Sequence, residues 1–197
     1  MANFEQAYEI TMGHEGGYVN DRDDAGGETY KGVARKMNKG WEGWKRLDEL
    51  KQEGAAFPKN LDDDEIFQED IRRFYKQRYW DPFWGDDIPN QSIASEMFDT
   101  GVNMGVGRAV KFLQKSLNLL NRNGALYREL VVDGAFGGNT LEALETYLER
   151  DHPKYLFKLM NILQGQHYIN YMTKSPKQEK YARGWLNRVE FIKSPAS

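Results

Sequence analysis

Glu15, Asp24 and Thr29 are the residues of this 197-residue chain whose types and spacing point to chemistry. Phe4, Tyr8, Thr11 and Glu15 follow at steps of four, three and four, so on a helix advancing about 100° per residue they share one face. Glu15 then stands in line with an aromatic, buried stripe. With Gly16-Gly17 as the helix stop, its carboxyl sits in the last turn, where partial desolvation and the negative end of the dipole both raise its pKa. A carboxyl group held protonated near neutrality is what a general acid needs. The plainer reading turns Glu15 to solvent or pairs it with a cation such as Arg22. Nine residues on, Asp24 lies in a Gly-rich loop able to fold back across the helix end. Thr29, five further, either orients water through its hydroxyl or is an ordinary loop or strand residue. Two carboxyls in unlike environments are what it takes to protonate a glycosidic oxygen while water is activated or a positive anomeric carbon is stabilised.

Rival chemistries fail on spacing. His14-Glu15 begins a zinc-protease HExxH, but position 18 is Tyr. A calcium loop begun at Asp21 needs Glu at position 32 and meets Gly32. The pair Gly105/Gly107 lacks the third glycine of a dinucleotide fingerprint and a strand before it. With no cysteine, disulfides, thiol nucleophiles and Cys-bound metals are excluded, and no metal or cofactor is expected.

The elements that position these residues are helical. Apolar spacing predicts helices over 4–15, 66–80, 93–104, 108–120, 140–148, 155–171 and 181–191, with almost no strand alternation. The segment 16–33 reads as a turn-rich loop or short hairpin. Asn139, with Glu142 three residues on, reads as a helix cap after the Asp133-Gly134 turn. The fold class is therefore mainly α. A soft boundary near Ile88-Pro89-Asn90 divides the chain into 1–94 and 95–197, expected to pack as one compact unit. The formal charge of −3 hides an asymmetry: nine acids and two bases lie between Asp48 and Asp70, against nine bases and three acids from Arg150 onward. Asp62-Asp63-Asp64-Glu65 suits a helix N-terminus. The acidic balance disfavours nucleic-acid binding. No run nears the roughly 18 apolar residues of a membrane span, and the N-terminus lacks a signal-peptide pattern, so the expectation is a protein made in the cytoplasm, without membrane insertion, and monomeric.

Glu15-Gly16-Gly17-Tyr18-Val19-Asn20, followed by Asp24-Ala25-Gly26-Gly27-Glu28-Thr29-Tyr30-Lys31-Gly32-Val33, resembles the signature of the glycoside hydrolase family 108 N-acetylmuramidases, also called secretion activator proteins. Residues 98–105 resemble that family's cleft helix. The segment from about Ser95, with Asp133-Gly134-Ala135-Phe136-Gly137 and Thr140, is similar to the predicted peptidoglycan domain that accompanies it. The resemblance implies a lysozyme-like helical fold with a small hairpin or loop wall beside a sugar cleft, and hydrolysis of the β-1,4 bond between N-acetylmuramic acid and N-acetylglucosamine. It makes Glu15 the acid. Asp24 and Thr29 match a Glu–Asp–Thr triad of phage endolysin lysozymes, one residue short between Asp and Thr. In that setting Gly26 and Gly27 let the loop backbone approach the glycan. Tyr18, Asn20, Tyr30, Asn103 and Tyr168 are candidates for lining the cleft, each with a core-packing alternative. The implied partner is the peptidoglycan glycan strand, in the periplasmic or extracellular wall, reached through a holin or a dedicated export system. The alternatives are a lytic transglycosylase and a non-catalytic wall-binding secretion accessory.

Overall fold

The computed structural model describes residues 1–13, 16–20, 26–54 and 56–189. Among them the chain is mainly helical with one small antiparallel sheet, as the periodicity predicts. Helix α1, Phe4–Met12, begins where the Asn3 side chain accepts a hydrogen bond from the Gln6 amide at 3.1 Å, and it buries Phe4, Ala7, Tyr8 and Thr11. It stops at Gly13, with an ordinary right-handed φ of −60°. The predicted stop at Gly16-Gly17 is thus three residues late. Gly is among the poorest helix formers, and Gly13 ends the helix first. Glu15, expected in a last helical turn, lies outside the described residues.

The sheet runs β1 (Tyr18–Asn20), β2 (Glu28–Tyr30) and β3 (Val33–Ala34), in that order. Lys31 and Gly32, with φ of 43° and 81°, make the two-residue reversal between β2 and β3. Two positive φ values in succession are what a twisted hairpin of this length requires. Helix α2, Gly43–Gln52, is not foreseen by the spacing and buries Trp44, Leu47 and Leu50. A short α3 (Asn60–Asp63) leads to α4 (Glu65–Tyr75), whose first turn is capped by Asp64 accepting from the Phe67 amide at 2.8 Å. That outcome matches the reading of the acidic run. A wider helical turn (Lys76–Trp80) and two tight turns (Asp81–Phe83, Gly85–Asp87) follow.

Helix α5, Gln91–Met104, is the axis of the molecule. Every residue from Ile93 to Gly101 is buried, and it runs unbroken through residues 94 and 95. Helices α1, α6 (Val106–Leu120) and α8 (Pro153–Lys174) pack on it or on each other. Helix α7, Gly138–Arg150, starts with Gly137 at its cap and no side-chain cap bond, so Asn139 is inside the helix and not its cap. In the described part of the predicted helix 181–191, a tight turn, Pro176–Tyr181, leads into a short α9, Ala182–Leu186, and residues 190 and 191 lie outside the described residues. Phe4, Trp80 and Phe98 meet edge to face at 5.6–6.0 Å within a core that continues through Leu113, Leu144 and Met160.

Candidate active site

Glu15 and Asp24, the two carboxyls singled out above, lie outside the described residues. At the end of α1, Thr11 Oγ1 and the Tyr8 hydroxyl are buried without a hydrogen-bond partner among the described residues. Burial pushes the Tyr8 phenol up to about 12, with Arg72 opposing and Glu5 adding to the effect, so it stays protonated at neutral pH. Past Gly16, the Gly17 carbonyl accepts from the Lys31 amide at 3.4 Å and the sheet begins.

Register decides which sheet residues can share a site. Tyr18 pairs with Tyr30, Asn20 with Glu28, and Thr29 with both Val19 and Ala34. Directly opposed residues in a sheet point to one face, and neighbours along a strand to opposite faces. Tyr18, Asn20, Glu28 and Tyr30 therefore belong to one face, and Thr29 with Val19 to the other. The first face points inward. Tyr30 is 1% exposed; its hydroxyl donates to Asp62 Oδ1 at 2.7 Å and accepts from Gln68 Nε2 at 2.8 Å. It is a core residue and offers no ring face to a sugar. Tyr18 is half-buried with its ring edge-on to Phe57 at 4.7 Å, and Asn20 is exposed at the strand end.

Glu28, not singled out from the sequence, ties this face together. Its Oε1 accepts from the Tyr18 hydroxyl at 2.7 Å and from Lys51 Nζ at 2.9 Å, and its Oε2 lies 2.9 Å from Arg35 Nε. Burial alone would raise its pKa, but the Tyr18 and Lys51 hydrogen bonds and the Arg35 and Lys51 charges outweigh it, and the carboxyl titrates below the usual range. Arg35 in turn grips Asp48 at 2.6 and 3.1 Å. The signal in the sequence is a Glu inside a strand with Arg35 and Lys51 downstream, which only the fold brings together.

On the other face, Thr29 is half-buried and its hydroxyl donates to the Gly27 carbonyl at 3.0 Å. The glycines answer to the turn rather than to an open cleft: Gly27 is buried with φ of 67°, and a Cβ there would sit 2.9 Å from the Lys36 side chain. The Gly26 carbonyl accepts from the Lys36 amide at 3.2 Å.

Asn103 and Tyr168 do meet, the tyrosine donating to Asn103 Oδ1 at 2.9 Å. Tyr168 is buried and stacked on Trp185 at 5.2 Å, so it braces the exposed Asn103 from behind and its ring is not available for stacking on a ligand. One turn back along α5, Asp99 pairs with Arg188 at 2.6 Å, both nearly buried. Behind these, Thr100 donates to Glu96 and accepts from Gln164. The acids of α5 sit on a helix buried all round, a pattern visible in Ser95–Gly101 as carboxyls among Met97 and Phe98. Among the described residues no cluster of His, Asp and Glu is arranged to hold a metal ion, and no helix is long and apolar enough to cross a membrane.

Residues 8–105 match the family model described as Glycosyl hydrolase 108, and residues 108–190 match that described as Predicted Peptidoglycan domain. Among solved structures the chain is similar to Brucella abortus SagA, at 22% identity and a TM-score of 0.60, over 94% of this chain and 88% of that one. That likeness speaks to the fold. No curated protein matches the chain.

Proposed function

The chain belongs to the glycosyl hydrolase 108 family, and from that premise we propose that it is an N-acetylmuramidase, cleaving the β-1,4 bond between N-acetylmuramic acid and N-acetylglucosamine. A glycosyl hydrolase domain followed by a peptidoglycan domain makes it a peptidoglycan-related hydrolase; the bond and the acid are our reading. Glu15 protonates the glycosidic oxygen, and Asp24 stabilises the positive anomeric carbon or places the attacking water. The observation that carries this reading is the match to the glycosyl hydrolase model over residues 8–105, which spans the EGGY stretch with Glu15 and the Asp24 segment. Glu28, the described carboxyl of the 15–29 segment, is engaged by Tyr18, Lys51 and Arg35 and serves to hold the sheet.

Thr29 acts as a positioning residue. Its bond to the Gly27 carbonyl fixes the turn through which the chain leaves the Asp24 segment. With Tyr30 and Tyr168 in the core, contacts with the glycan fall to Asn103 and Asn20, which are exposed. The wall outside the cytoplasmic membrane is where such a substrate lies.

The test is muropeptide analysis by mass spectrometry of purified peptidoglycan treated with the wild type and with Glu15→Gln. Wild type is expected to release fragments with reducing N-acetylmuramic acid ends. Glu15→Gln is expected to lose at least about 100-fold of that activity with its melting temperature within a few degrees. Undiminished release by the variant overturns the assignment of the acid. Products ending in 1,6-anhydro sugars would make the enzyme a lytic transglycosylase, and binding without fragments a wall-binding accessory.

A further inference from the structure

The loop that follows β3 is held more firmly than a surface connection requires. The Asn38 amide and its side-chain Nδ2 both donate to the Ala34 carbonyl at 3.0 Å, and the Asn38 carbonyl accepts from the Trp41 amide at 3.1 Å and from Trp44 Nε1 at 2.7 Å. Trp41 is fixed in turn. Its ring lies so close to Gly43 that a Cβ there would sit 2.2 Å from it, and it meets Trp44 edge-on at 4.8 Å and Phe74 at 5.6 Å. Between this loop and the end of α4 lies a groove of about 560 Å³, whose apolar part is Trp41, Phe74 and Met37, the last 76% exposed. A preformed groove of that size is in the range that holds a small ligand.

Its charged groups are Lys39, Arg73 and Arg78 against Glu42 and Asp70. Arg73 is paired with Asp70 at 3.4 Å. Among the described residues no carboxylate pairs with Lys39 or Arg78, and the Arg78 guanidinium is set instead 5.5 Å from the centre of the Phe74 ring. That holds a planar fork of N–H donors beside an apolar surface, an arrangement suited to a carboxylate on a short chain. Glu42 is left to answer an ammonium group. The unpaired charges therefore match a peptide carrying more carboxylates than ammonium groups, and a neutral sugar would answer none of them. Position favours the same occupant. The Lys36 amide donates to the Gly26 carbonyl at 3.2 Å, and the Lys36 side chain lies against Gly27, so the groove opens at Met37, one residue past the exit of the 15–27 segment. Four residues of extended peptide span about 13–14 Å, enough to pass from that exit over Lys36 to Met37.

We propose that this groove, inside the hydrolase match and apart from the peptidoglycan match, binds the stem peptide of the substrate, with Arg78 and Lys39 receiving its free carboxylates. This rests on the peptidoglycan reading for its partner and not on the identity of the acid. The test is a heteronuclear NMR titration of the isotope-labelled full chain with the tetrapeptide N-acetyl-L-alanyl-γ-D-glutamyl-meso-diaminopimelyl-D-alanine, and separately with the same peptide after amidation of its carboxyls. The acidic peptide is expected to give saturable shifts centred on the amides of Gly40, Trp41 and Gln77. Arg78→Gln is expected to weaken binding about tenfold and Lys39→Gln about threefold; both side chains are exposed, so melting temperatures should stay within a few degrees of wild type. The amidated peptide is expected to bind at least about tenfold more weakly. Absence of saturable binding overturns the proposal, as do shifts centred elsewhere, unchanged affinity in both variants, or equal binding of the amidated peptide. The titration breaks no bond, so a chain that binds the peptide at the groove but releases no muropeptide fragments would count against the muramidase reading alone.

Discussion

The sheet is fastened to its surroundings mostly by ions, the 121–137 segment mostly by amides, with one ion pair, Arg122–Asp151, at its start. At the sheet, Glu28 gathers Tyr18, Lys51 and Arg35, and Arg35 continues to Asp48. At the other segment, Gln114 and Asn118 on α6, with Asn121 at its cap, follow at helical spacing and grip the backbone. Asn118 donates to and accepts from Leu130 at 2.8 Å. Asn121 holds the Leu126 amide and both backbone groups of Tyr127. Gln114 reaches Asp133, Gly134 and Ala135. Neutral amides imitate a β-ladder and carry no charge to desolvate. Ionic fastening is stronger per contact but answers to pH and salt. The segment beside the expected chemistry is therefore the one whose attachment the medium can loosen.

The largest effect is expected at Gln114, which is 2% exposed. Gln114→Ala removes three hydrogen bonds, to Asp133, Gly134 and Ala135, and costs about 2–3 kcal/mol, read as a drop in urea midpoint that is the same at pH 5 and pH 8. A strongly pH-dependent loss would break the contrast. Next comes Glu28→Gln, at about 1–2 kcal/mol near neutrality. The folded pKa of Glu28 is below its ordinary value of 4.5, so its stabilisation is full above that value and disappears as pH falls through the folded pKa. Wild type and variant should converge in thermal melts as the pH is lowered from 4.5 through the folded pKa; a gap that persists at the acid end would place the effect in packing. Smallest is Lys51→Met, a 42% exposed partner, expected to cost about 0.5 kcal/mol at low salt and nothing measurable in about 1 M salt.

Much of this arrangement is legible in the sequence. The apolar spacing of α5, α6 and α8 is strong enough to fix them to within a few residues at most ends, and the acidic run at Asp62 does prepare a helix start. Helix α2 escapes because only Trp44, Leu47 and Leu50 mark its buried side, diluted by Lys45, Arg46, Asp48 and Glu49. Asn139 misleads because a capping pattern says nothing about where the preceding turn ends. The adjacent pair Thr29 and Tyr30 carries a different lesson. Two neighbours in a strand cannot face the same cleft, and assigning both to it ignores that parity. Glu28 escapes for another reason: its partners Arg35 and Lys51 lie 7 and 23 positions away, and proximity across such separations is created by the fold. The readings of Glu15 and Asp24 fall on residues outside those described.

Helix α5 has a practical consequence for anyone cutting this gene. It ends at Met104, inside the hydrolase match, yet Asp99 depends on Arg188 and Thr100 on Gln164, both contributed by the peptidoglycan match. A fragment stopped at residue 105 would be left with a carboxylate stripped of its counter-ion and an uncovered apolar helix. The two matched segments are thus a single cloning unit, and grafting the catalytic half onto a foreign wall-anchoring module would first require redesigning the α5 surface.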